Sequence, residues 1–387
     1  MMPLKPRLIV LIVAIPIFAV AIIGGFMERA TAGQDTYRHL RIFEDVVSLI
    51  SRNYVEEIDL DSVMSGALRG LSEGLDSDSS YLAREDVERL ESGRPLPAGS
   101  LGIEVTRGYY VQIISVADGS PAAEASILPG DYIRAIDGEP TRFMSGIEGE
   151  RLLRGQPGSS VIVSLIRGNT QEPYDIELIR QRLSNPGVSS RLLSDEIGYI
   201  RIGGFNQGIS ADISSAINVL LADGSKTLIL DVRNNATGSF DEGISAARLF
   251  LGNGTVGIRA ESDDQQTSFT SETGDAAIDE PLLLLTNFGT SGPAEVFTAA
   301  LVDRERARSI GQRTAGRTGQ QKLIRLPDGT GLWLSWARYL QPSGEPLHRV
   351  GVEPTITVTI TQTELGEPLP TGDSILEDAL EHLASGL

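Results

Sequence analysis

LLLLTNFGTSGPAEVFTAALVD, residues 282–303, runs from an uninterrupted apolar stretch through small residues into a segment opening on Pro293. A short apolar run without polar alternation suits a strand covered on both faces. Proline suits the first turn of a helix, where its missing N–H would have had no partner. The same grammar recurs upstream. GYIRI (198–202) and TLILDV (227–232) read as buried strands, and Ile209, Ile213, Ile217 and Leu220 fall between them at helical spacing. DEGISAARLFL (241–251) continues the alternation. Strands alternating with helices predict an α/β core on a parallel sheet, assigned to residues 184–360. Gln320 to Tyr339 reads as a β-hairpin extension around Asp328-Gly329, and ILEDALEHLA (375–384) as a short amphipathic helix within the tail, 361–387.

Before this core, residues 98–183 carry short β-type runs (VQIISV, DYIRAID, SVIVSLIR) separated by SPA, LPGD, DGEP and QPGS turns. GRPLPAGS (93–100) is a Pro/Gly-rich linker in front of that module. Residues 34–92 read as a helical segment, with Leu40, Phe43, Val46, Val47 and Ile50 in one helical period and Val63, Ala67 and Leu71 in the next. Within it LDSDSSYL (75–82) imitates the opening of a calcium loop through Asp76, Asp78 and Ser80. Tyr81 and Val87 stand where that loop needs Gly and Glu, so the string is expected to be a turn capping the next helix.

Lys and Arg total 33 against 52 Asp and Glu, and the net charge of −19 argues against a phosphate-backbone partner. No cysteine is present, which excludes disulfides, thiolate nucleophiles and Cys-ligated metals. The three histidines, His39, His348 and His382, are scattered and form no metal-binding pair; neither a cofactor nor a metal is expected. LIVLIVAIPIFAVAIIGGF, residues 8–26, follows Lys5 and Arg7 and has the length of one bilayer crossing. Positive charge in front of it favours a cytoplasmic N-terminus and places the main body in the periplasm or outside the cell. Two alternatives stay open: a membrane anchor, and a cleaved signal peptide ending near Ala30-Thr31-Ala32.

Two resemblances sharpen this reading. Residues 98–183 resemble a PDZ domain, through LGIEV, IISVADGSPAAEASILPGDYIRAIDGEP and LLRGQPGSSVIVSLIRG. The likeness implies a peptide groove in which Leu101, Gly102, Ile103 and Glu104 form the carboxylate-binding loop and the edge strand that pairs with an incoming tail. The core resembles the C-terminal processing (tail-specific) serine peptidases, through GYIRIGGFNQG from Gly198, TLILDVRNNATGSFDE from Thr227, LLLLTNFGTSGPAEVFTAALVD from Leu282 and the long segment from Ile310. The implied fold class is multidomain α/β: membrane helix, helical leader, mostly β PDZ domain, and a parallel-sheet peptidase-like core with a β-hairpin extension.

The resemblance also implies where the chemistry should sit, and there the chain departs from the family. The family's nucleophilic Ser lies three residues before a Glu; with Glu295 fixing the register, that position is Gly292. The family's general-base Lys lies in G-K-G-x-x-Q; here Gly316-Arg317-Thr318-Gly319-Gln320-Gln321 puts Arg317 there and keeps Gln321, which usually orients the lysine. A guanidinium does not deprotonate in proteins, so Arg317 cannot serve as that base. Ser291, with Thr290 before it, is the alternative nucleophile. In the loop that resembles LDLRNNPGG and its oxyanion site, Asn234 and Asn235 are kept, Thr237 replaces the first glycine and Gly238 retains the second. His348 and Asp303 fall where the family has the same residue types, and Lys322 is expected to face outward.

Three functions follow from this reading. The first is an exported homologue that captures unfolded chains or C-terminal tails of exported proteins through the PDZ groove with lost or weak proteolysis. The second is an active serine endopeptidase using Ser291, and the third a structural envelope protein. The expected partners are tail peptides and, through the N-terminal helix, the membrane; nucleic acid is excluded, and a homo-oligomer is left open.

Overall fold

Successive side chains of a strand point to opposite faces, and in the core this sorts the apolar residues into two clusters. In the computed structural model, which describes residues 37–168, 172–184, 187–262, 265–274, 278–360, 363–368 and 370–385, the strand Leu282–Thr286 is buried throughout. Its Leu282 and Leu284 join one cluster, and Leu283 and Leu285 the other. The strand Thr227–Asp231 divides in the same way, Leu228 and Leu230 against Ile229. The first cluster is completed by three helices, Ile209–Ala222, Phe240–Arg248 and Pro293–Asp303. The second is closed by the helix Ser374–Ala384 through Ile375 and Ala379. Full burial of one such Leu or Ile side chain contributes about 2 kcal/mol.

The six strands of this sheet run in the order Val188–Ser194, Ile197–Ile202, Thr227–Asp231, Leu282–Thr286, Arg308–Gly311 and Ile356–Thr357. Only the first pair is antiparallel. The expected parallel sheet is therefore mixed at one edge. Loops that leave the carboxyl ends of its parallel strands emerge together, the usual place for a site in such sheets.

A second sheet is five-stranded and antiparallel. It contains the expected hairpin, Gly319–Arg325 with Gly331–Leu340, and adds Gly254–Glu261, Gln266–Ser271 and Ser80–Leu82. The last of these corrects the expectation for LDSDSSYL. The string ends in a strand, and the following helix, Arg84–Glu91, has Ala83 at its N-cap with no side-chain cap. Asp76 instead accepts from the N–H groups of Asp78 and Ser79 at 2.9 and 2.6 Å. An Asx turn satisfies these donors locally, so the Asp76 carboxylate is spent there and does not cap the helix.

The module after the linker has its own apolar core and a sheet ordered Ile103–Arg107, Val111–Val116, Tyr132–Ile136, Ser160–Ile166 and Tyr174–Ile179. The helix Gly146–Leu153 packs beside the edge strand Ile103–Arg107 and begins with a capping box between Ser145 and Glu148. Residues 1–68 and 69–387 form two units. In the first, residues 37–53 are helical, as expected, with Leu40, Val46 and Leu49 exposed. Among the described residues no helix is long and apolar enough to cross a membrane; the apolar run 8–26 lies outside them.

Candidate active centre and peptide groove

Four loops meet at the carboxyl ends of the core strands. Thr290 Oγ1 donates to the carbonyl of Val232 at 2.9 Å, Ser291 N to Asn235 O at 2.9 Å, and Ala315 N to Thr290 O at 3.0 Å. Asn235 Nδ2 donates to Ile202 O at 2.9 Å. Gly238 has φ +112°, and a Cβ there would lie 2.0 Å from the carbonyl oxygen of Phe205, so this position requires glycine.

Gly292 and Arg317, 25 positions apart in the chain, are brought together by one carboxylate. Glu295 is fully buried and accepts four hydrogen bonds. Thr314 Oγ1 and Gly316 N donate to Oε1 at 2.6 and 2.5 Å, and Gly292 N and Arg317 N donate to Oε2 at 3.1 and 2.7 Å. Burial pushes this carboxyl up and the four donors oppose the shift. Gly292 is the N-cap of Pro293–Asp303, with φ 60° and ψ −119°. That conformation costs a non-glycine residue about 1–3 kcal/mol. There is nonetheless room for a side chain, because a Cβ at 292 meets only the Arg317 carbonyl oxygen, at 3.8 Å.

The guanidinium of Arg317 points to an acid that sequence reasoning assigned to a turn. Nη2 lies 2.5 Å from Asp78 Oδ1, and Nε is 3.1 and 3.3 Å from the two carboxylate oxygens. Thr106 Oγ1 donates to the same Asp78 Oδ1 at 2.7 Å. Burial pushes the Asp78 carboxyl up, but the charge and hydrogen bonds of Arg317, joined by Thr106, hold it below the ordinary carboxylate range. A residue of the leader, one of the PDZ-like module and one of the core thus share a single ion-paired cluster. Nothing in the spacing of Asp78 and Arg317, 239 positions apart, signals that pairing.

The remaining predicted residues are placed as follows. Gln321 does not reach Arg317; its amide donates to Gly319 O at 3.1 Å and Ser335 Oγ at 3.2 Å. Ser291 is 2% exposed, and its hydroxyl makes no hydrogen bond to a basic group among the described residues. Asn234 is fastened to Asn287 by a backbone and a side-chain hydrogen bond. Asn235 Oδ1 and Thr237 Oγ1 are buried without a partner among the described residues. His348 Nδ1 is likewise unpaired, Asp303 binds Ser343 through N and Oγ, and Lys322 is exposed over the Trp336 ring.

In the PDZ-like module Leu101 and Ile103 are buried in its core. Gly102 has φ +78°, and the group that leaves no space for a Cβ is Ser120, 2.2 Å from the Cβ position at its own Cβ. The close approach demanding glycine therefore comes from inside the module. A cleft of about 670 Å³ separates this loop from the core, with Gly102, Glu104, Ser115, Arg201, Asn234 and Thr237 among its lining. Asp118 on one wall pairs with Arg201 on the other at 2.8 Å. Burial, and then Glu150, push the Glu104 carboxyl up to about 7 against the pull of Arg154 and Arg317.

Comparison with known proteins agrees with this layout. Residues 196–358 match peptidase family S41, and residues 112–167 match the PDZ domain. A carboxy-terminal-processing protease of Bartonella bacilliformis is 31% identical over 343 residues, covering 87% of this chain and 77% of that protein. The chain belongs to the carboxy-terminal-processing protease family. A family member from Synechocystis sp. is 33% identical over 281 residues, which cover 72% of this chain and 66% of the relative. The solved structure of a photosystem II D1 C-terminal processing protease superposes with a TM-score of 0.71 at 27% identity, covering 89% of this chain and 91% of that one. The multidomain α/β architecture, PDZ unit beside S41 core, is thus that of the family.

Proposed function

We propose that this chain is an exported, membrane-associated member of the family that captures C-terminal tails in its PDZ groove and has lost, or nearly lost, the ability to cut them. The observation that carries this reading is the Arg317–Asp78 ion pair beside Gly292. The nucleophile position offers no side chain, and the base position holds a cation that cannot give up its proton. The edge strand Ile103–Arg107, hydrogen-bonded to a neighbour on one side only, supports strand addition by a tail. Its far end is closed by Ser77, whose carbonyl accepts from the Arg107 N–H at 3.4 Å, so the open stretch is short and suits the last few residues of a chain.

The test is incubation of the purified full chain, in mild detergent, with an unfolded protein and with a fluorophosphonate probe. No labelling and no cleavage above background are expected. Labelling that disappears in Ser291→Ala, with the fold intact, would instead establish the second reading, in which Ser291 acts as a shifted nucleophile. Location has its own test. A reporter that is active only outside the cytoplasm, fused at the C-terminus, should be active; a reporter active only in the cytoplasm should be silent, and the reverse pattern overturns export.

A further inference from the structure

Among the described residues, the charges around the cleft between the PDZ unit and the core are matched, with two exceptions. Arg201 is held by Asp118, Arg154 lies 3.5 Å from Glu150, and Arg317 is held by Asp78. Arg182 is unpaired but exposed on the short strand beside Gly99, where water and salt screen it. Glu104 is the other exception. Its carboxylate lines the cleft, is only partly accessible, and makes neither a hydrogen bond nor an ion pair. Ser115, its partner across the sheet, and nearby Ala117 and Gly119 are small, which leaves space beside the carboxylate.

Strand geometry says which residue of a tail would meet Glu104. Ile103 and Val105 turn into the module's apolar core, so Glu104 between them projects to the opposite face, the one bordering the cleft. A tail added to this edge alternates in the same way. With its last side chain on the apolar face of Leu101 and Ile103, its penultimate side chain falls on the face of Glu104. We propose that Glu104 selects a cationic side chain, lysine or arginine, at the penultimate position of the captured tail. The inference rests on the tail-capture reading and adds a substrate class to it. A cation there would supply the donor that Glu104 lacks and offset the burial of its charge.

The probes are short labelled peptides ending in Lys-Val, Glu-Val or Ala-Val, with free or amidated termini, measured by fluorescence polarisation on the full chain in mild detergent. The Lys-Val peptide should bind about tenfold more tightly than Glu-Val, a difference of about 1.4 kcal/mol. Glu104→Gln should bring that ratio close to one, and Glu104→Lys should invert it. The groups facing Glu104 are Glu150 and Arg154 on the neighbouring helix and its C-cap, and Arg317 on the core loop. With the Glu104 pKa at about 7, the ratio should widen between about pH 6 and about pH 8 as the carboxyl ionises. Equal binding of Lys-Val and Glu-Val, with amidation weakening both, would overturn this inference and leave tail capture standing. If no peptide bound, tail capture would fall and the inference with it.

Discussion

Changing Gly292 to Ser and Arg317 to Lys together leaves cleavage of unfolded protein close to background, and adding Asp78→Asn raises it by roughly tenfold to a hundredfold. The reason is the acid opposite position 317. A lysine placed there inherits the partner that now binds Arg317 at 2.5 Å, and an ion-paired ammonium stays protonated. It would then supply charge but no base, and a serine hydroxyl without a base is a weak nucleophile. Asp78→Asn removes the charge while keeping an oxygen that can accept from Thr106 Oγ1, so the cluster keeps its shape. Desolvation then lowers the lysine pKa against the remaining pull of Glu295 and Glu104, and general-base assistance contributes about 10²–10⁴ when fully developed. Full recovery is not expected. A serine introduced in place of Gly292 must adopt φ 60° and ψ −119° at a cost of about 1–3 kcal/mol, and Thr237, with its buried hydroxyl unpaired among the described residues, lies in the segment expected from the sequence to form the oxyanion site. Initial rates on a labelled unfolded substrate, with a melting curve for each variant, decide the matter. A double variant that cuts as fast as the triple would show that Asp78 does not hold the base position in its charged state.

The sequence made some parts of this molecule legible and hid others for physical reasons. LLLL at 282–285 is a strand covered on both faces, and each of its residues lies in one of two clusters, as a continuous apolar run requires. The start of the following helix was equally readable, because Gly292, Pro293 and Glu295 fit an N-terminus whatever the function. The strands Gly254–Glu261 and Gln266–Ser271 carry no clear strand period: they mix small, polar and apolar residues and take their stability from pairing with Gly331–Leu340 and with each other. LDSDSSYL misled in another way. Its residues have the local character of a turn, whereas Asp78 is consumed by a partner far away in the chain. Glu295 served to set the register of the nucleophile position. Its four donors come from two short segments, Gly292 and residues 314–317, and only the folded chain collects them.

Glu295→Ala should lower unfolding free energy by about 4 kcal/mol, read as a shift of the urea midpoint. Alanine leaves three backbone N–H groups and the Thr314 hydroxyl without an acceptor in a place water does not reach. Each orphaned buried donor costs about 1–3 kcal/mol, and because the four share one acceptor their losses do not simply add. Glu295→Gln separates charge from shape. Its amide oxygen can still accept two of the bonds, but its NH₂ must face either the Gly292 and Arg317 N–H groups or the Gly316 N–H beside the Thr314 hydroxyl, so a loss of roughly half the alanine value is expected. The same bonds hold residue 292 against the segment of residue 317, so the triple variant described above should lose its recovered cleavage when Glu295→Gln is added. A midpoint for Glu295→Ala within about 1 kcal/mol of wild type would mean that water or another group takes over these donors, and that the two positions are held together by something other than this carboxylate.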